Sequence, residues 1–287
     1  MNQVTAVRKP VEQSDLEKIK VQAKSISFGY QGVNILNHID IDVKEGELLV
    51  LMGPSGCGKS TFLRLMAGLE QPNDGEILVN GVSSADLIPD CGVVFQDYSL
   101  FPWLSAEENI VLALKQKLKG KKTKKELQLL AADYLGLVQL GHAVKKYPGE
   151  MSGGMKQRAA IARALAFGSD LMLMDEPFGA LDPLTRIHLQ DLILQISQDQ
   201  NRTIVFVTHD ADEAIYLADR IVMFSTGSQG AVTTSVDVPF TKPRNRKKLF
   251  SSSEFTRFRE HILSIMNQGL LDNLEDQQFV GSNGDKI

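Results

Sequence analysis

Only two of the 287 residues are cysteines, Cys57 and Cys91, so no paired framework points to a disulfide-stapled fold or an oxidising compartment. Long apolar runs are missing too. Runs such as 48–52 and 171–174 fall far short of the roughly 20 residues a membrane span needs. There is no surplus of positive charge: 31 basic residues face 35 acidic ones for a net −4, so no overall field would draw in nucleic acid. The first twenty residues are polar and contain no apolar signal segment, and no internal repeat is found. Disorder is excluded in turn, because 43% hydrophobic and 23% charged residues make the balance of an ordinary globular chain. The length fits one large domain or two smaller ones, and the chain is expected to be soluble and cytosolic by itself.

Residues 1–20 read as a leader without apolar periodicity. From Val21 the alternation in VQAKSISFGY and ILNHIDIDVKEGE predicts half-buried strands, and the apolar run ELLVLM predicts a central strand covered on both faces. GPSGCGKS follows, and TFLRLMAGLE then has helical spacing. Strands are expected in PNDGEILVNG and CGVVFQ. From about 98 to 163 the sequence turns helical: SAEENIVLALKQ opens on a serine cap with acidic first-turn residues, KKELQLLAADYLGLVQL has apolar residues three and four apart, and MKQRAAIARALAF is a third helix. DLMLMDEP, TIVFVTHD and IVMFS alternate as strands with helices LTRIHLQDLILQIS and ADEAIYLADR. That alternation predicts an α/β core over 21–228 with a helical insertion. Residues 229–250 read as turn-rich and basic, EFTRFREHILSIM as one last helix, and the polar tail from about Gln268 as loose.

Chemistry begins at Gly53, Pro54, Ser55, Gly56, Cys57, Gly58, Lys59 and Ser60, which fit G-x-x-x-x-G-K-[ST]. Glycines let the backbone wrap phosphate oxygens with N–H groups pointing inward, and the helix that starts near Lys59 and runs through Thr61 adds its positive end. Lys59 can reach β- and γ-phosphates, and the Ser60 hydroxyl can ligate Mg²⁺. Further along, the apolar strand 171–174 ends in Asp175 and Glu176, which puts two carboxylates at the C-terminal edge of a parallel sheet, where such folds bind ligands. Asp175 is suited to hold Mg²⁺ through water, and Glu176 to polarise the water that attacks the γ-phosphate.

Between these elements lies Met151-Ser152-Gly153-Gly154-Met155-Lys156-Gln157-Arg158, which resembles the signature motif of ABC transporter ATPase subunits, usually written LSGGQ. Gln96 in VVFQD is similar to that family's Q-loop glutamine, Asp182 in ALD to its D-loop, His209 in VTHD to its switch histidine, and Tyr30 to the aromatic that stacks on adenine. Seven motifs stand in the family's order from residue 30 to 209. The resemblance implies an α/β P-loop NTPase core of RecA type, with an antiparallel β subdomain and an inserted helical subdomain. It implies ATP and Mg²⁺ as cofactors, with Ser60, Gln96 and Asp175 around the metal and Lys59, Gln96, Glu176 and His209 in catalysis. It also implies a head-to-tail pair of subunits, in which Ser152, Gly153 and Gly154 of one copy close over the nucleotide of the other. Met151 and Met155 depart from the usual Leu and Gln; the phosphate contacts come from the serine and glycines between them.

LFPWLSAEENI after the Q-loop and the tail VPFTKPRNR…EFTRFREHIL resemble the nitrate/sulfonate/taurine importer branch. Residues 229–287 are then a short C-terminal extension with one helix, too short for a further domain. The implied partners are two membrane permease subunits and, indirectly, an extracytoplasmic solute-binding protein, with the chain peripheral on the cytoplasmic face of the membrane. A non-transport ABC ATPase would be expected to carry a long coiled coil or two cassettes, and an importer for another small solute remains an alternative. A nucleotide-binding regulator is opposed by Glu176 and His209. Elsewhere, Cys57 is read as a small loop-filling residue and Cys91 as core, and His38, His142, His188 and His261 have no neighbours at metal-ligand spacing. Seven lysines in eleven residues, Lys115 to Lys125, suit a solvated helix end and loop; the other reading is contact with anionic lipid headgroups. Phe101 and Trp103 fit either core positions or, the favoured reading, a groove next to the Q-loop that receives a permease helix.

Overall fold

The computed structural model describes residues 18–86, 90–227 and 230–281; residues 1–17 of the leader lie outside them. Strands β1 (Ile19–Tyr30), β2 (Val33–Lys44), β3 (Leu48–Met52), β4 (Asp74–Val79), β5 (Val82–Ser83), β6 (Cys91–Val94), β7 (Leu171–Asp175), β8 (Thr203–Val207), β9 (Arg220–Gly227) and β10 (Gly230–Asp237) form one sheet. Its order is β5-β4-β1-β2-β10-β9-β3-β8-β7-β6. The half from β9 to β6 is parallel, whereas β1 pairs antiparallel with β2 and β4. Every residue of β3, β7 and β8 is buried, as parallel strands covered on both faces require. Leu48, Val50 and Met52 join the core beneath the helical region, while Leu49 and Leu51 join the core beside the antiparallel strands, so one five-residue strand ties the two cores together through the alternation of its side chains.

Helix α1 (Lys59–Met66) follows β3. The helical region holds α2 (Ala106–Leu118), α3 (Lys124–Leu137) and α4 (Gly153–Phe167). Ser105 and Thr123 start α2 and α3 with full capping boxes to Glu108 and Glu126, each worth about 1 kcal/mol of helix stability. Helices α5 (Pro183–Asp199) and α6 (Ala211–Leu217) complete the α/β layers.

Three expectations need correction. The first strand begins at Ile19, within the stretch read as leader. The turn-rich reading of 229–250 misses β10, a run with four β-branched residues that pairs with β9 along its length and touches β2; the expected core boundary at 228 falls between these paired strands. The short helix α7 (Arg246–Phe250) was missed as well, and α8 (Ser253–Gly281) runs through the tail read as loose. Helix α8 is seated by buried Phe255 and Ile262. Arg244, also buried, donates to the carbonyls of Ile215, Tyr216 and Ala218 at the end of α6, a C-terminal cap supplied from far along the chain.

Candidate functional site

Strand register assembles the site. Leu51 and Asp175 both pair with Val207, and Val94 pairs with Met174. The residues that follow these strands — the loop from Gly53, then Gln96, Glu176 and His209 — therefore leave the sheet along one edge. The loop fits only glycine at two points. Gly53 has φ 148° and its absent Cβ would strike the Phe224 carbonyl; Gly58 has φ 96° and a Cβ there would sit 2.6 Å from the Leu36 side chain.

Lys59 is buried, and its ammonium donates to the carbonyls of Gly53 at 2.9 Å and Pro54 at 2.6 Å. These bonds hold the cation over the loop. The Ser60 hydroxyl donates to Asp175 Oδ1 at 3.0 Å. Asp175 is buried, and burial raises its carboxyl above the ordinary aspartate value, opposed by the Ser60 hydrogen bond and reinforced by neighbouring Glu176. Glu176 itself adopts φ 45°, a left-handed conformation that costs a non-glycine residue about 1–3 kcal/mol. Its N–H still bonds the Val207 carbonyl, and its Oε1 lies 3.2 Å from His209 Nδ1. The turn thus aims the carboxylate off the strand direction and at the histidine.

A cleft of about 500 Å³ is lined by Ser55, Gly56, Gly58, Lys59, Ser60, Thr61, Gln96, Glu176 and His209, together with Ile35. Gln96 also lines an adjoining cleft of about 540 Å³ with Ser60, Arg64, Glu70 and Asp175. Oxygen donors from Ser60, Gln96 and Asp175 at one place make a hard-ligand set of the kind Mg²⁺ takes.

Other expected residues lie apart. Tyr30, 48% exposed, lines neither cleft; its hydroxyl donates to Glu70 at 2.5 Å and its ring meets Phe28 edge-on at 4.9 Å. Ser152 caps α4 by accepting from the Met155 N–H at 3.3 Å. Gly153 and Gly154 pack near Tyr98 and Ala180, and a Cβ on Gly154 would come within 3.0 Å of the Ala180 carbonyl. Asp182 caps α5 through the Thr185 N–H at 3.0 Å, a bond that holds its carboxyl below the ordinary value. None of these four lines the cleft with Lys59. Cys57 fills the loop from below, buried, with its thiol raised by burial against the opposing pull of Lys59. Cys91 is partly buried, its thiol pushed up to about 12 by burial.

Sequence reasoning missed Ile35, Glu70 and Arg64. Glu70 receives Tyr30 from forty positions away and faces Arg64 Nη1 at 3.7 Å. Nothing local announces such a pairing. Arg163 is another such residue: from α4 it donates to the carbonyls of Ser99 and Tyr98 and lies over the Phe101 ring, holding the segment after Gln96.

Residues 36–179 match the ABC transporter family. Over 250 residues the chain is 46% identical to the nitrate transport protein NasD of Klebsiella oxytoca, covering 86% of this chain and 95% of that protein. It is likewise 46% identical over 245 residues to the bicarbonate transport ATP-binding protein CmpC of Synechococcus elongatus, of which it spans 37%. Among solved structures, a dimeric ATP-binding cassette, MJ0796, in a post-hydrolysis state with ADP and Pi, superposes with a TM-score of 0.71 at 31% identity. That match covers 77% of this chain and all of the other.

Proposed function

The chain belongs to the ABC transporter family as an ATP-binding subunit and an ATPase, and from that premise we propose that it powers import of a small anion of the nitrate, sulfonate or bicarbonate kind. The nitrate and bicarbonate relatives, which match over more than four-fifths of this chain, support that solute class. In this reading two copies pair head to tail, and their closure pulls on two permease subunits served by a solute-binding protein outside the membrane. A groove of about 510 Å³ beside Gln96, lined by Leu69, Phe95, Phe101, Leu112 and Phe167, suits a docking permease helix. Trp103, 70% exposed and 5.6 Å from Phe101, would extend its apolar rim. Among the described residues no helix is long and apolar enough to cross a membrane; in this reading permease docking places the chain at the cytoplasmic face.

The observation that carries the mechanism is the Glu176–His209 pair at the rim of the phosphate-loop cleft. Loop amides and Lys59 bind the β- and γ-phosphates. Ser60, Gln96 and Asp175 would hold Mg²⁺, which when bound would offset charge on the phosphate oxygens. Glu176 accepts a proton as a water oxygen bonds to the γ-phosphorus and the bond to ADP breaks. His209, with its proton on Nδ1, fixes the carboxylate for that transfer. Ser152, Gly153 and Gly154 of the second copy cover the γ-phosphate, Asp182 stands at the same subunit boundary, and Tyr30 stacks on adenine after leaving Glu70.

Glu176→Gln tests this. Glutamine keeps shape and one acceptor oxygen but is no base, so the variant should bind ATP with Mg²⁺, fail to cleave it and accumulate as a dimer on size exclusion with light scattering. A monomer that hydrolyses ATP at the wild-type rate would refute both the base and the two-copy site.

A further inference from the structure

The turn between α2 and α3 carries charge that the nucleotide chemistry does not use. On a chain of net charge −4, Lys115, Lys117, Lys119, Lys121, Lys122, Lys124 and Lys125 crowd into eleven residues without one acid or arginine among them. All seven are exposed. Lys117 is tied to the Gly168 carbonyl and Lys122 to Glu126. The other five make no ion pair among the described residues, although Lys124 acts on Glu108 from a distance. The left-handed pair Lys119 and Gly120 (φ 44° and 80°) turns the chain sharply after α2 and exposes the lysines on a tight bend.

Lys117 and Lys119 also line a groove of about 770 Å³ with Phe95, Cys91 and Phe167. Those last three line the permease groove as well, so the lysine turn continues its rim. Asp90 is the acid that shares this groove.

We propose that this turn is an electrostatic contact for anionic lipid headgroups at the membrane surface. Composition decides between lipid and protein: protein interfaces are enriched in arginine and depleted in lysine, whereas clusters of mobile lysines suit a diffuse anionic surface. The direction in which the turn faces rests on the permease-docking reading; its charge does not.

The test is cosedimentation of the full chain with vesicles of mixed phosphatidylglycerol and phosphatidylcholine, and with phosphatidylcholine alone. Wild type should pellet with the anionic vesicles only, and less so as salt rises. A lysine close to such a surface contributes roughly fivefold to partitioning. Combining Lys119→Gln, Lys121→Gln, Lys124→Gln and Lys125→Gln should therefore lower binding at least about tenfold, while four arginines in their place retain it. Lys117 and Lys122 stay, so the local ties remain, and an unchanged ATPase rate in solution certifies the fold. Equal binding to both vesicle types, or a glutamine variant that binds like wild type, overturns the proposal. So does a glutamine variant that binds lipid normally but loses a purified permease, since the contact is then with protein. Lipid binding that follows charge while no permease docks would instead refute the docking reading and leave this one standing.

Discussion

The edge of the parallel sheet and the start of α4 both offer helix N-termini to an anion, but they differ in how far the chain completes them. At the sheet edge polar groups are already paired within the chain: Lys59 with two loop carbonyls, Ser60 with Asp175, Glu176 with His209. At α4, Ser152 is exposed and its hydroxyl bonds the third amide of its own helix, and the first-turn amides of Gly153 and Gly154 have no helical acceptor. In the proposed mechanism the first region would serve as a self-supporting half-site with a base and a metal position, and the second as an open helix end for the phosphates of a partner's nucleotide. The two-copy proposal rests on that contrast: each end would act only against the other end of a second chain.

The comparison breaks most severely at Lys59. Lys59→Ala removes the cation at the loop, so ATP binding measured by calorimetry should vanish at micromolar nucleotide, while Ser152→Arg should leave binding to the single subunit intact. Tyr30→Ala should weaken ATP by about 1–3 kcal/mol, the range for base stacking on an aromatic, without touching tripolyphosphate binding; Tyr30→Phe keeps the ring and should retain affinity. An alanine variant with wild-type ATP affinity would move the adenine platform elsewhere. The smallest effect sharpens the contrast through stability. Burial raises the Asp175 carboxyl, so the native state holds its proton more tightly than the unfolded chain. Stability from that group is present below the unfolded value and falls as pH rises through the folded one. Asp175→Asn should therefore melt higher than wild type at neutral pH without Mg²⁺, by on the order of 2 °C, and the advantage should fade towards acid pH. A variant that melts lower at neutral pH would show that the Ser60 bond outweighs the burial cost.

Much of the sheet edge was legible because each of its parts is local. A glycine loop between strand and helix, two acids ending an apolar strand, and a histidine after another strand are each contiguous, and parallel pairing brings their ends together. What escaped depends on distant partners. Strand β10 is short of apolar side chains and becomes a strand through pairing with β9 and β2. Tyr30 finds Glu70 across forty positions, and Arg244 caps a helix through carbonyls 26 to 29 residues earlier. The tail beyond Gln268 read as loose from its polarity, yet it continues the helix anchored by Phe255 and Ile262.

Subunit complementation tests the two-copy site most directly. Lys59→Ala and Ser152→Arg should each abolish ATP hydrolysis alone. Mixed in saturating ATP, a pair with one copy of each retains one intact composite site, Lys59 from the serine variant facing Ser152 from the lysine variant. The mixture should hydrolyse ATP well above the sum of the two parents. Activity no greater than that sum, with mixed dimers shown to form, would contradict a site shared between chains.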